Sequence, residues 1–260
     1  MNDLEIRTDN FSRINEKTQD SNIWAKHGFQ VSMLAKNSEE WLSDVLQSIE
    51  VCMQDTNWVM IFGNDNSSDE TLSIIEKFSK KTHAKKVDIL NFKKIKNVSE
   101  GKNNLLLEGK KYEKDFPGIL MSDSDDIISA GRARGLLNQA IEKKSKIIVG
   151  DWIYCDEKKQ KYKSSYSSIK KLVFGPWATL INSCLIPEDG KLFNETVNAH
   201  EDLLLWQELR VSGVNMHPAD KVLTCYYNAR PASLSRPSNK EVKSKNWKHY
   251  QSIKSRLAGM

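Results

Sequence analysis

Three aspartates stand within four residues at the end of a short apolar run. The run covers residues 118–122, and Asp123, Asp125 and Asp126 follow it. Carboxylates this close repel one another unless they share a cation, and Mg²⁺ is typically held by one or two carboxylates together with substrate phosphates. The stretch therefore predicts a metal–phosphate site at a strand end, where open α/β sheets bind ligands. The same residues leave open an acidic turn that caps the next helix through Ser129.

The elements that position these aspartates alternate between strand and helix. Short apolar runs predict buried strands, and apolar residues at helical spacing between them predict amphipathic helices. Asn37, with Glu40 three residues on, has the spacing of a capping box at the first helix. Strand–helix alternation with short links predicts an α/β fold with a mostly parallel sheet and helices on both faces. The predicted strands are 29–35, 58–63, 87–90, 118–123, 146–150, 178–186 and 222–227.

Composition narrows the class of partner. The chain has 260 residues, and 39 Lys and Arg against 34 Asp and Glu give a net charge of +5. This mild excess suits a phosphate-bearing small molecule or a membrane surface better than nucleic acid, because no Arg-rich helix or RNA-binding signature is present. The four cysteines are far apart, which argues against zinc and favours a reduced, cytoplasmic chain. We expect no signal peptide and no membrane span.

Four segments, in this order, resemble glycosyltransferase family 2, the inverting nucleotide-sugar transferases of the GT-A fold. Residues 31–42 match the opening strand, turn and helix of that family, and residues 64–71 match its Asp-Asp-Gly-Ser-x-Asp-x-Thr segment. Residues 121–126 match its metal-binding Asp-x-Asp segment. Residues 201–203 fall where the family keeps Glu-Asp. Each segment alone is weak, whereas four in the right order make the resemblance specific.

We expect three parts of the chain. The resemblance covers a GT-A domain over 29–236, the polar stretch 1–28 without sustained periodicity predicts an N-terminal arm, and 237–260 is predicted to be a basic helical tail. The tail carries several lysines together with Trp247 and Tyr250. A basic helix of this kind can rest on an anionic membrane, which would be a peripheral contact near a lipid-borne acceptor. A solvated helix packed on its own domain is the alternative.

The resemblance also implies which residues hold the donor. Asp65 corresponds to the acid that reads the nucleobase, and Ala35 and Lys102 fall near the nucleotide. A carboxylate accepts the imide N–H of uracil or thymine, which favours a UDP- or dTDP-sugar. Asp125 is expected to bind Mn²⁺ or Mg²⁺ directly, and Asp123 to support it or the ribose. Read without the resemblance, Asp65 is a helix-capping residue and Lys102 a solvated lysine.

The remaining candidates concern the acceptor and the diphosphate. Asp202 is expected to be the base, because inversion needs a carboxylate that takes the proton of the acceptor hydroxyl. A helix N-terminus favours the ionised form that a base requires. Glu201 and Trp177 are weaker acceptor candidates, and an aromatic in an α/β domain is more often part of the core. Arg230 and Arg236 are weak candidates for the diphosphate.

Departures from the family pattern shape the functional hypothesis. Asn64 and Asn66 replace an acid and a glycine of the second segment, and Lys36 stands where many members place an aromatic residue. The Gln/Arg-x-x-Arg-Trp signature of processive synthases is missing, which favours addition of single sugars. We therefore expect transfer of one sugar to a hydroxyl of a glycan or lipid-linked acceptor. Two alternatives are a catalytically inactive nucleotide- or sugar-binding module and a metal-dependent nucleotidyltransferase.

Overall fold

The structure is a computed structural model that describes residues 23–155, 161–164, 175–197, 200–228 and 251. Several sequence predictions lie outside these residues. They are the predictions for Arg230 and Arg236, for the basic tail and for most of the N-terminal arm.

The first half of the sheet is parallel. It is formed by strands β1 (Phe29–Ala35), β2 (Trp58–Asp65), β3 (Val87–Phe92) and β4 (Gly118–Asp123), in the order β3-β2-β1-β4. Ala35 pairs with Asn64, and Leu34 pairs with Asp123, so the carboxyl ends of β1, β2 and β4 meet at one edge. The predicted α/β class and mostly parallel sheet are thereby confirmed.

The second half of the sheet is mixed. Five further strands are described: β5 (Ile127–Ile128), β6 (Ile147–Cys155), β7 (Lys161–Ser164), β8 (Thr179–Asn182) and β9 (Met216–Asn228). The order continues as β4-β8-β6-β9-β5, and β7 pairs with β6. Strand β8 is antiparallel to both β4 and β6, whereas β9 is parallel to β6 with register shifts around Asp151. Irregular pairing of this kind bends strands and increases their twist.

Five helices of the described chain cover the sheet: α1 (Glu39–Met53), α2 (Thr71–Ser79), α3 (Val98–Gly109), α4 (Arg132–Glu142) and α5 (Glu201–Val211). The five helices predicted within the described residues are present, because their apolar residues recur at helical spacing and are buried against the sheet. The helix predicted in the basic tail lies almost entirely outside the described residues. None of these helices is long and apolar enough to cross a membrane.

The predicted capping box at α1 is wrong. Ser38, not Asn37, directly precedes the helix, and Asn37 takes a left-handed conformation with φ of 47°. The Asn37 side chain accepts a hydrogen bond from the backbone N–H of Ser68 at 2.9 Å. Asn37 therefore joins the β1–α1 turn to the β2–α2 turn, a contact that local spacing does not reveal.

Arg132 of α4 joins the two halves of the sheet. Arg132 lies in the first turn of α4, and only 1% of its surface is exposed. The Nη2 atom donates to the carbonyl oxygen of Met121 on β4 at 2.6 Å and to that of Thr179 on β8 at 3.3 Å. These are the two strands at which the parallel half meets the mixed half, so Arg132 holds that junction together.

Candidate active site

The three aspartates of the acidic turn converge. Carboxylate oxygens of Asp123, Asp125 and Asp126 all lie within 4.8 Å of one another, and Asp126 is fully buried. Burial raises the pKa of Asp123 to about 6, an effect that Lys102 opposes and that Asp125 and Glu201 reinforce. An all-carboxylate set of this kind suits a hard divalent cation, which relieves the repulsion between its ligands. The residues present therefore fit Mg²⁺ or Mn²⁺.

Two serines attach the acidic turn to its neighbour. The hydroxyl oxygens of Ser124 and Ser38 are 2.8 Å apart, and both residues are buried. Ser38 donates its proton to the carbonyl oxygen of Lys36 at 3.2 Å, which leaves Ser124 as the donor between the two hydroxyls. The turn after β4 is thereby fixed to the turn after β1. Neither serine was singled out in the sequence, because only their separation in space marks them.

Asp65 lies at the same edge, at the end of β2. Its Oδ2 atom is 3.1 Å from the Nζ atom of Lys36, and the two side chains are 17% and 59% exposed. Ala35 ends β1 beside them and is buried. Asn64, also buried, donates from Nδ2 to Oδ1 of Asn91 at 3.2 Å. The structure thus gathers the predicted nucleotide residues Ala35 and Asp65 on adjacent strand ends, with Lys36 against the carboxylate.

The other polar residues of the second segment support helix ends. Asp69 accepts from the backbone N–H of Glu39 at 3.0 Å, and Glu39 accepts from that of Glu70 at 3.0 Å. The hydroxyl of Thr71 accepts from the backbone N–H of Ser38 at 2.7 Å. These bonds satisfy N–H groups that a helix start leaves without intrahelical partners. Asp65 alone of the acids in this segment stands at the sheet edge.

Lys102 and Glu201 form an ion pair between α3 and α5. Their Nζ and Oε1 atoms are 2.8 Å apart, and the side chains are 11% and 16% exposed. The ammonium group of Lys102 also lies 5.2 Å from the centre of the Phe193 ring. Burial would lower the pKa of Lys102, but the charges of Glu201 and Asp123 hold it above its usual range. Lys102 is therefore a permanent cation inside the site.

Asp202 shares this environment. Burial raises its pKa to about 7, the negative charge of Glu201 acts in the same direction, and Lys102 opposes both. Its Oδ1 atom accepts from the backbone N–H of Leu203 at 2.8 Å. The negative charge of Asp123 also raises the pKa of Asp202, which is a weaker effect than that of Glu201. A carboxyl group with a pKa near neutrality suits general acid–base chemistry.

Helix α3 positions the start of α5 through the segment before it. Asn103 accepts from the backbone N–H of Phe193 and donates to its carbonyl oxygen, both at 2.8 Å. Asn97 donates to the carbonyl oxygens of Glu195 at 2.9 Å and Val197 at 3.1 Å. His200, which precedes α5, is left-handed with φ of 61°. These asparagine contacts join residues about a hundred positions apart, so no local sequence pattern indicates them.

Trp177 is largely buried, with 9% of the residue exposed. It belongs to the short 3₁₀ turn Pro176–Ala178 and packs edge-on against Trp152, with ring centres 5.3 Å apart. This contact joins the turn to β6.

Comparisons with known proteins identify the family and the fold. The chain matches the sequence profile described as "Glycosyl transferase family 2" over residues 31–193, which is more than half of its length. No curated protein matches it by sequence.

Similar solved structures include crystal structures of S. aureus TarS 1-349. The form in complex with UDP-GlcNAc has a TM-score of 0.66 at 18% identity, covering 87% of this chain and 65% of that one. The complex with UDP has a TM-score of 0.64 at 17% identity, and the match covers 86% of this chain and 72% of that one. A third structure of TarS 1-349 has a TM-score of 0.62 at 18% identity. The match covers 77% of this chain but only 60% of the length of the TarS chain. The fold is shared, and by its sequence profile the chain belongs to glycosyl transferase family 2.

Proposed function

We propose that this protein is an inverting glycosyltransferase. It moves a single sugar from a UDP- or dTDP-type nucleotide sugar to a hydroxyl of a glycan or lipid-linked acceptor. The observation that carries the proposal is the convergence of a metal-suited acidic turn and Asp202 around one buried lysine, Lys102, in a chain of this family. The GT-A domain is taken to span residues 29–236.

The donor binds at the carboxyl ends of β1, β2 and β4. Asp65 accepts the imide N–H of the base, Ala35 lines the nucleotide, and Asp123 supports the ribose or the ion. Asp125 and Asp123 would hold Mn²⁺ or Mg²⁺. When bound, the ion neutralises charge that develops on the leaving diphosphate. Support for this assignment comes from the adjacent strand ends and from the 4.8 Å limit on the carboxylate separations.

Asp202 acts as the base. As the acceptor oxygen attacks the anomeric carbon, its O–H bond breaks and the proton passes to the Asp202 carboxylate. The new C–O bond forms on the face opposite the diphosphate, which leaves with the electron pair of its bond to carbon. The configuration at the anomeric carbon is therefore inverted. A pKa of about 7 allows Asp202 to be ionised near neutral pH and still to accept a proton readily.

A stabilisation screen tests the donor half of the proposal. Nucleotide sugars with uracil, thymine, adenine and guanine bases are added to the parent protein with Mn²⁺ or Mg²⁺, and the melting temperature is recorded with and without chelator. A ligand at about 100 times its Kd stabilises the native state by about 2.7 kcal/mol. We expect a rise with uracil or thymine donors that chelator abolishes and Asp125→Asn loses.

Asp115→Asn is the matched control, because Asp115 is 70% exposed and pairs only with Lys26 among the described residues. It should respond as the parent does. A rise that is the same with chelator would contradict the metal assignment. Release of pyrophosphate instead of a nucleoside diphosphate would indicate a nucleotidyltransferase, and nucleotide binding without release of either product would indicate an inactive binding module.

A further inference from the structure

The Lys102–Glu201 pair is built differently from the ion pairs at the surface. Both of its side chains are less than one fifth exposed, whereas Lys26 and Asp115 are 64% and 70% exposed. Taking two charges out of water costs free energy that their attraction often fails to recover, so a buried pair is weak evidence for stability. A purpose other than stability therefore has to be sought for this one.

The position of the pair suggests that purpose. Lys102 comes from α3, Glu201 from the first turn of α5, and Asp202 directly follows Glu201. Three acidic side chains act on Lys102 through their charges: Glu201, Asp123 and Asp202. Two of these have roles in donor binding or proton transfer. Glu201 instead accepts a hydrogen bond from Lys102 through Oε1 at 2.8 Å.

We propose that Lys102 and Glu201 are positioning residues that hold the first turn of α5 against α3 and set the charge around Asp202, without touching the reacting atoms. The inference rests on the proposed function, in which Asp202 is the base. It replaces the roles that the family resemblance implied, namely a nucleotide contact for Lys102 and an acceptor contact for Glu201.

The proposed role predicts the direction in which the pKa of Asp202 shifts when either member of the pair is changed. Within the part of the chain that the structure describes, the charges that act on the pKa of Asp202 are those of Lys102 from α3, Asp123 from the end of β4 and its own neighbour Glu201. His200 acts in turn on Glu201 from the helix start. A positive neighbour favours the ionised carboxylate and a negative neighbour opposes it. Removing the charge of Lys102 should therefore raise the pKa of Asp202, and removing the charge of Glu201 should lower it. If the two substitutions merely loosened the site, the pKa of Asp202 would shift in the same direction in both variants.

Carbon-13 NMR of protein labelled at the aspartate carboxyl carbon measures this pKa without any donor. The Asp202 signal is identified by its absence from Asp202→Asn, and the protein is titrated from about pH 4 to about pH 9, a range that brackets ordinary and raised aspartate values. We expect Lys102→Gln to raise the midpoint and Glu201→Gln to lower it, each by about one unit. The double variant should return close to the parent, because the two effects oppose each other.

Lys110→Gln is the matched control. Lys110 follows α3, its side chain is 16% exposed, and it pairs with Glu113 at 3.3 Å away from the site. It should leave the Asp202 midpoint unchanged. Lys102→Arg keeps the charge and should stay near the parent, so it carries the test together with Glu201→Gln if Lys102→Gln does not fold.

The inference is overturned if Glu201→Gln leaves the midpoint unchanged, or if both single variants move it in the same direction. Failure of the proposed function gives a different result. If the opposite shifts are observed but Asp202→Asn transfers sugar at the parental rate, the pair is real and the base lies elsewhere. If Asp202→Asn loses transfer but the midpoint does not respond to the pair, only the positioning role fails.

Discussion

The donor side and the base side of the site are assembled in different ways. On the donor side, Asp65 and Asp123 each end a strand, and those strands are the two parallel neighbours of β1. On the base side, Asp202 stands at a helix start that the sheet does not place directly. The segment before that helix is held by Asn97, which caps α3, and by Asn103 within α3, both far from it in sequence.

This difference shows what each side depends on. The donor side depends first on strand pairing, since parallel register brings the strand ends together, and the Ser124–Ser38 bond then fixes the acidic turn. The base side needs contacts between residues that are far apart in sequence, of which the Lys102–Glu201 pair spans 99 positions. Changes that act on long-range contacts should therefore disturb Asp202 more than Asp65 or Asp125.

The largest effect on stability is expected at the junction of the two sheet halves. Arg132→Met removes the donor to the carbonyl oxygens of Met121 and Thr179 and leaves both buried oxygens without it. Each unsatisfied buried group costs about 1–3 kcal/mol, so the free energy of unfolding should fall by about 3 kcal/mol. Denaturant unfolding measures the loss.

Arg134→Met is the control for that measurement. Arg134 lies on the same helix, 60% exposed, and pairs with Asp55 at 3.4 Å. Exposed pairs contribute about 0–1 kcal/mol, so this variant should stay close to the parent. Equal losses in the two variants would mean that Arg132 does not hold the junction.

A smaller effect should appear as pH-dependent stability on the base side. The pKa of Asp202 is about 7 in the folded protein against an ordinary 3.8, so between these values the folded state keeps a proton that the unfolded state has lost. The stability that this residue contributes is complete below the lower value and is lost as pH rises through the upper one. Asparagine cannot ionise and escapes this loss.

Asp202→Asn should therefore be more stable than the parent at about pH 8, by about 1 kcal/mol after allowance for solvent screening, and this gain should shrink towards about pH 5. Thermal unfolding at several pH values measures the difference. Asp115→Asn, at an exposed position, should show no such trend. A gain for Asp202→Asn that is independent of pH would mean that folding does not raise the pKa of Asp202.

The smallest effect is expected at the donor side. Ser124→Ala removes the hydroxyl that donates to Ser38, a bond worth about 1 kcal/mol. Because that bond fixes the acidic turn, metal-dependent donor affinity should weaken by about fivefold, the equivalent of 1 kcal/mol. Calorimetry with Mn²⁺ measures the change, and Ser79→Ala, which removes a hydroxyl bonded to Glu76 O on α2, serves as control. Unchanged affinity in Ser124→Ala would show that the turn keeps its shape without this bond.

The sequence predicts the donor side better than the base side for a physical reason. Strand and helix periodicity is local, and the parallel register that follows from it brings Asp65, Ala35 and Asp123 to one edge. The fold class was predictable on this basis, whereas the family was predictable from the resemblance of four short segments in order. The mixed half of the sheet was less predictable. The sequence predicts a strand over 178–186, whereas β8 covers only Thr179–Asn182 and a 3₁₀ turn follows.

Long-range polar contacts could not be predicted. Lys102 and Glu201 were both singled out, but nothing in the spacing of either indicates that they bind each other. Arg132 looks like an ordinary helix-start arginine in the sequence, since its burial depends on two carbonyl oxygens of β4 and β8. These contacts depend on tertiary packing, which periodicity does not encode.

The central claim is that the donor side binds and the base side reacts. It is tested most directly by measuring donor affinity and nucleoside diphosphate release together on the parent, Asp125→Asn and Asp202→Asn, with the donor that the stabilisation screen identifies. We predict that Asp202→Asn keeps the parental donor affinity while transfer falls by about 10²–10⁴-fold, or about 3–5 kcal/mol of transition-state stabilisation. Asp125→Asn should lose affinity and transfer together. Transfer at the parental rate by Asp202→Asn would contradict the account.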